Sequence, residues 1–203
     1  MTSPTAPRDP HADPMLTPQN AALVIIDFQP VQVTSIASME RRELVANITA
    51  VARTAKLFGL PIVLSTVNVG TGRNQPTIHQ LTEVLGPLEA IDRTSINAWE
   101  DADFVAAVEA TGRKKLVMAA LWTEVCLVFP ALDALRAGYE VYPVVDAVAG
   151  TSKAAHEAGL QRILQAGGQP TTWVQFICEL QRDWNRVGTV PGFADIVFTV
   201  EGH

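Results

Sequence analysis

Two side chains in this sequence sit where nucleophilic chemistry is possible. Asp27 closes the apolar run Ala22-Leu23-Val24-Ile25-Ile26. A carboxylate so placed is costly unless it has a partner or a task; its structural alternative is a cap for the next loop or helix. Cys126 follows Leu121-Trp122-Thr123-Glu124-Val125, at the expected start of a helix. Helix N-termini favour anions, so a thiol there is expected to ionise below the free value of about 8.5. The competing role is a small buried hydrophobe. Pro130, four residues on, cannot donate to the Cys126 carbonyl, which loosens the first turns.

The elements that must position these groups alternate in type. Short apolar runs at 21–27, 61–67, 114–120, 140–146 and 170–175, with a weaker one at 88–93, suit strands buried on both faces. Between them lie segments of helical spacing, 41–59, 101–112, 125–138 and 152–168, each ending in Gly. The alternation predicts a single doubly wound α/β domain: a mostly parallel six-stranded sheet with helices on both faces, a three-layer Rossmann-like arrangement. With the common strand order 3-2-1-4-5-6, the switch point lies between strands 1 and 4, and ligands bind there, beyond the carboxyl ends. Asp27 follows the first strand and Cys126 the fourth, so both are delivered to one crevice.

Composition narrows the function. The 203 residues suit one domain, expected over 20–203, and residues 1–19, rich in Pro, Ser, Thr and Asp, read as a flexible surface arm. A net charge of −6 without Lys or Arg runs argues against nucleic acid. No apolar stretch is long enough to span a membrane. Cys126 and Cys178 form no CxxC pair, so a reducing, cytoplasmic setting is expected, with Cys178 in core packing. His11, His79, His156 and His203 are scattered, with His156 expected at the surface, so no metal is expected. Absence of GxGxxG after the first strand and of a Walker loop argues against a nucleotide; no cofactor is expected.

LVIIDFQ (23–29), INAWED (96–101) and the stretch 114–152 containing TEVC and GYEVYPVVDA resemble the isochorismatase-like cysteine hydrolases, in their YcaC-type branch. The resemblance runs from about residue 20 to about 187. It implies Cys126 as nucleophile and Asp27 as its proton-transfer partner. The family's third position, usually Lys, falls on Arg93, which presents a rigid fork and stays protonated. It further implies a cis peptide at Leu121–Trp122 and an oxyanion hole made by the backbone N–H groups of Trp122 and Cys126. Some relatives, the nicotinamidases, hold a metal with an Asp and histidines after the second strand; NVGTGRNQPTIHQ carries no such cluster. Phe28, Asn97, Trp99 and Trp122 lie near the expected mouth and suggest a small, partly apolar amide as substrate, cleaved through a thioester. Their alternative role is core or subunit packing. The resemblance also implies an even-numbered homo-oligomer, a tetramer or octamer. Three other functions share these residues: a silent or binding relative, a vinyl-ether hydrolase that leans on Asp27 alone, and a thiol redox protein using Cys126.

Overall fold

The computed structural model describes residues 8–201; residues 1–7 of the expected arm and His203 lie outside the described residues. Strand β1 (Ala21–Ile26) is buried at all six positions. It pairs in parallel with β2 (Ile62–Val67) on one side and β4 (Lys115–Ala120) on the other, and β3 (Ile91–Arg93) and β5 (Glu140–Pro143) form the edges. The order is β3-β2-β1-β4-β5, which puts the reversal between β1 and β4 as expected. The continuous apolar character of β1 and β4 follows from being covered on both faces.

The helices are α1 (Pro30–Thr34), α2 (Arg41–Phe58), α3 (His79–Leu85), α4 (Ala102–Ala110), α5 (Val128–Arg136), α6 (Lys153–Gln165), α7 (Trp173–Gln181) and α8 (Val190–Glu201). With this strand order, the right-handed rule for parallel crossovers puts α2 and α3 on one face of the sheet and α4 and α5 on the other. α7 and α8 join α2, and α6 joins α5. Residue types set the boundaries. Asp101, Ser152 and Thr172 cap α4, α6 and α7 by accepting from Phe104, Ala155 and Gln175 N–H. Gly59, at φ 67°, closes α2 in the left-handed conformation that a side chain would resist.

Three expectations are corrected. The sheet has five strands, not six. In the segment 170–175 only Thr171 pairs, in one parallel bridge with Val144. Gln169 and Thr171 donate to the Val141 and Pro143 carbonyls at 2.8 and 2.9 Å, but Pro143 has no N–H to return a bond to the Gln169 carbonyl, and Thr172 is already the cap of α7. Cys178 is exposed on α7, whose buried face is Trp173, Phe176, Ile177, Leu180 and Gln181. The N-terminal segment is fastened from Asp13 onward. Asp13 pairs with Arg182 at 3.1 Å, Lys115 Nζ donates to the Pro14 carbonyl at 2.7 Å, and Leu16 is fully buried. Among the described residues no helix is long and apolar enough to cross a membrane.

Candidate active site

β1 and β4 end in register, Ile26 beside Ala120, with Ser65 of β2 on the other side of Ile26. Asp27 follows with φ 61° and donates its N–H to the Ser65 carbonyl at 3.0 Å. Asp is among the few side chains that tolerate this left-handed conformation. The fully buried carboxylate is gripped by Arg93 at the end of β3: Nη1 to Oδ1 at 2.7 Å and Nη2 to Oδ2 at 2.8 Å. Such a fork-to-fork pair is the strong geometry for a guanidinium and a carboxylate. Arg93 also donates to Ser65 Oγ (3.2 Å), the Thr66 carbonyl (3.0 Å) and the Ile96 carbonyl (3.3 Å). Its Nε finds no partner among the described residues. Burial works against the Arg93 charge, but the bond to Asp27 and its negative charge prevail and hold the guanidinium above its ordinary value.

Cys126 lies between β4 and α5. The expected helix start is instead a π-helical turn, Thr123–Leu127, and α5 proper begins at Val128. Leu127 N–H donates to the Trp122 carbonyl (3.2 Å) and Val128 N–H to that of Thr123, both five residues back. The wide turn fits the missing N–H of Pro130, which could not close an α-turn onto the Cys126 carbonyl. The side chain is 8% exposed. The Asp27 carboxylate and the backbone N–H of Trp122 both lie close enough to the thiol to act on its ionisation. Burial pushes the thiol ionisation up, and the charge of Asp27 and the bond to it push it further; Arg93 and the Trp122 N–H oppose this and lose. The expected downward shift is therefore overturned. A helix terminus acts only within its first turn, whereas Cys126 is in nearly dry surroundings beside a carboxylate. At rest the site holds a thiol, a carboxylate and a guanidinium.

The Leu121–Trp122 peptide is cis. The Trp122 indole N–H donates to Ser35 Oγ (3.0 Å) and the Gln32 carbonyl (3.3 Å), tying the Cys126 turn to α1 and the loop that follows it. Of the four residues expected to line the substrate site, Trp122 is the one placed beside Cys126. Phe28 is fully buried, its carbonyl accepting from Ile78 N–H. Asn97 gives its amide to Asp133 (2.7 Å) and caps the short turn Ala98–Glu100 through Trp99 N–H (3.1 Å). Trp99 packs edge-on against Phe104 and Tyr139. Tyr139 precedes β5, so Trp99 belongs to the opposite end of the sheet from Cys126. Phe28, Asn97 and Trp99 thus hold packing and capping positions.

Residues to which the sequence assigns no part in the site complete the surroundings. Gln29, fully buried, ties Val67 N–H and carbonyl and the Gln75 carbonyl to the loop after Asp27. Its one available signal was a second polar residue beside an apolar strand end. His156, expected at the surface, is half-buried, with Nδ1 2.8 Å from Thr123 Oγ1. Among the described residues no group of three or more His, Cys, Asp or Glu is placed to hold a metal ion.

Residues 21–175 match the isochorismatase domain family. The chain is 38% identical over 170 residues to the probable hydrolase YcaC of Escherichia coli, covering 83% of this chain and 81% of that protein. The solved structure of Escherichia coli YcaC, an octameric hydrolase of unknown specificity, superposes with a TM-score of 0.82 at 33% identity, covering 98% and 99% of the two chains. YcaC of Pseudomonas aeruginosa, solved with hexane-2,5-diol and covalent acrylamide, gives 0.82 at 34% identity, covering 92% and 96%.

Proposed function

The chain belongs to the isochorismatase family, and from that premise we propose that it is a cysteine hydrolase of small amide-type substrates. The observation that carries this reading is the delivery of the nearly buried Cys126 thiol, just past β4, and of a carboxylate locked by Arg93, just past β1, to the same end of the sheet, where the carboxylate acts on the thiol. Because the thiol is protonated at rest, proton transfer accompanies attack. Asp27 takes the thiol proton as sulfur bonds to the carbonyl carbon, and the developing oxyanion rests on the N–H groups of Trp122 and Cys126. Asp27 returns the proton to the leaving nitrogen as the C–N bond breaks, leaving a thioester. Water then attacks with Asp27 as base, the carboxylic acid departs, and the sulfur recovers its proton. Arg93 is a positioning residue: it orients Asp27 and keeps a compensating charge beside it. The covalent acrylamide in the Pseudomonas relative supports a substrate space sized for a small amide. The octameric Escherichia coli relative and the exposed apolar side chains Trp184, Val187 and Phe198 support an even-numbered homo-oligomer.

The test is incubation with a panel of small primary amides and hydroxamates, with mass mapping of the Cys126 peptide and assay of released ammonia or hydroxylamine. The reading expects an acyl adduct on Cys126, absent in Cys126→Ala, and no turnover in Cys126→Ala or Asp27→Asn. Turnover that survives Cys126→Ala would move the assignment to chemistry led by Asp27, such as vinyl-ether cleavage.

A further inference from the structure

Helix α6 lies directly on the turn that carries Cys126, and Gly159 permits it. A Cβ there would sit 3.1 Å from Glu124 Cα and 3.2 Å from both Glu124 N and Thr123 Cγ2. One helical turn earlier, on the same face, His156 shares a 2.8 Å hydrogen bond with the Thr123 hydroxyl. Glu124 is anchored to the neighbouring loop. Its Oε1 accepts from Thr151 N–H (3.0 Å) and Oγ1 (2.6 Å). Its Oε2 is buried without a hydrogen-bond partner among the described residues and would lie 2.6 Å from a Cβ on Gly150. Gly150 itself is held by Ser38 Oγ and Ala37 N–H, both at 2.9 Å. Thr123 N–H donates to the Ala149 carbonyl at 2.9 Å. The two residues after Trp122 are thus fixed from two elements by groups that take no part in the steps above. Trp122 is bonded directly to Thr123, and its N–H acts on the Cys126 sulfur, so whatever seats Thr123 and Glu124 also constrains that N–H.

We propose that His156 is a positioning residue for the nucleophile. By holding the Thr123 hydroxyl it seats the 122–127 turn, so that the Cys126 sulfur stays between the Asp27 carboxylate and the Trp122 N–H. Burial favours the neutral ring, with Glu124 and Glu157 opposing it, so the bond to Thr123 is made by an uncharged imidazole. The inference rests on the reading of Cys126 as nucleophile with Asp27 as its partner.

The experiment is iodoacetamide alkylation of the full chain at pH 8, with mass mapping that reads Cys126 against the exposed Cys178 as internal reference, and thermal melting in parallel. In His156→Leu the sulfur leaves the Asp27 contact, and Cys126 alkylation rises about tenfold, as for a one-unit fall in thiol pKa. His156→Asn places an amide where Nδ1 was and keeps the rate within about twofold of wild type, the scale of a retained hydrogen bond. A folded His156→Leu protein with the wild-type rate overturns the proposal, as does an Asn variant altered as much as Leu. Thr123→Val removes the same bond with little change of shape and is expected to behave as His156→Leu; wild-type reactivity there overturns the proposal even if His156→Leu fails to fold. Failure of the underlying reading registers separately, as Asp27→Asn leaving Cys126 alkylation unchanged.

Discussion

The sheet buries a basic side chain at each end. At the carboxyl end Arg93, 3% exposed, faces Asp27; at the amino end Lys115, 5% exposed, faces the Pro14 carbonyl, the Tyr142 hydroxyl at 3.2 Å and Glu140 at 3.4 Å. By burial alone the two are equivalent. Their partners differ. Glu140 is 48% exposed at its side chain, so the Lys115 charge is shared with water and its main work is to staple the N-terminal segment to β4. Asp27 is wholly buried, both of its carboxylate oxygens are engaged by Arg93, and its charge acts on the Cys126 thiol. Burial of a charge therefore does not mark the site. A buried charge pair that leaves one acceptor turned to a nucleophile does.

The most damaging change to this contrast is Asp27→Asn. It strands the Arg93 cation, and removing one partner of such a buried pair costs about 3–5 kcal/mol of stability, measurable by denaturant unfolding. Its two chemical readouts should move in opposite directions. Turnover is lost with the base. Alkylation of Cys126 speeds up, because the carboxylate that holds the thiol up is gone while Arg93, which pulls it down, remains. Equal loss of both would mean that the variant merely collapses the site. Lys115→Met should cost less, about 1–3 kcal/mol for leaving the Pro14 carbonyl without its donor. It should leave the Cys126 alkylation profile at its wild-type position. A changed profile would break the comparison, since it would couple the two ends of the sheet.

The same contrast governs what the sequence made legible. The buried strands announced themselves, because β1 and β4 are covered on both faces and keep no polar alternation. Their parallel order then brought Asp27 and Cys126 together without side-chain detail. Thr171 and Val174 suit a strand because β-branched types serve strands and helix faces alike; the missing N–H of Pro143 and the Thr172 cap decide the outcome. The direction of the thiol shift is not legible in the sequence, because a regular helix start and the wide turn at Thr123–Leu127 share the same residue types, and only the turn leaves Cys126 in dry surroundings beside Asp27. Trp99 and Asn97 sit beside the Arg93 segment in sequence, yet the chain turns back between them and leads them to Asp133 and Tyr139. The His156–Thr123 bond joins positions with no sequence relation. Contacts of that kind appear only once α6 is docked, and Gly159 and Gly150 are their faint trace in the sequence.

The smallest effect expected is also the one that separates the two ends by pH. The Cys126 thiol is held up mainly by burial and then by Asp27; the Tyr142 phenol is held up by burial and then by its bond to Glu140. For both groups the folded chain keeps a proton that the unfolded chain gives up. Their contributions are therefore fully present below the unfolded pKa values and are lost as pH rises toward the folded ones. Cys126 starts to cost stability above about pH 8.5 and Tyr142 only above about pH 10. One unit above the free thiol value, the Cys126 loss amounts to about 1.4 kcal/mol, the contribution of one proton over one pH unit. Unfolding curves between pH 8 and 10 should thus flatten in Cys126→Ala and stay unchanged in Tyr142→Phe; above pH 10 both variants should lie flatter than wild type. A Cys126→Ala curve that falls as steeply as wild type through pH 9 would mean that the thiol does not sense its buried neighbours. The distinction drawn between the two ends of the sheet would then lose its electrostatic basis.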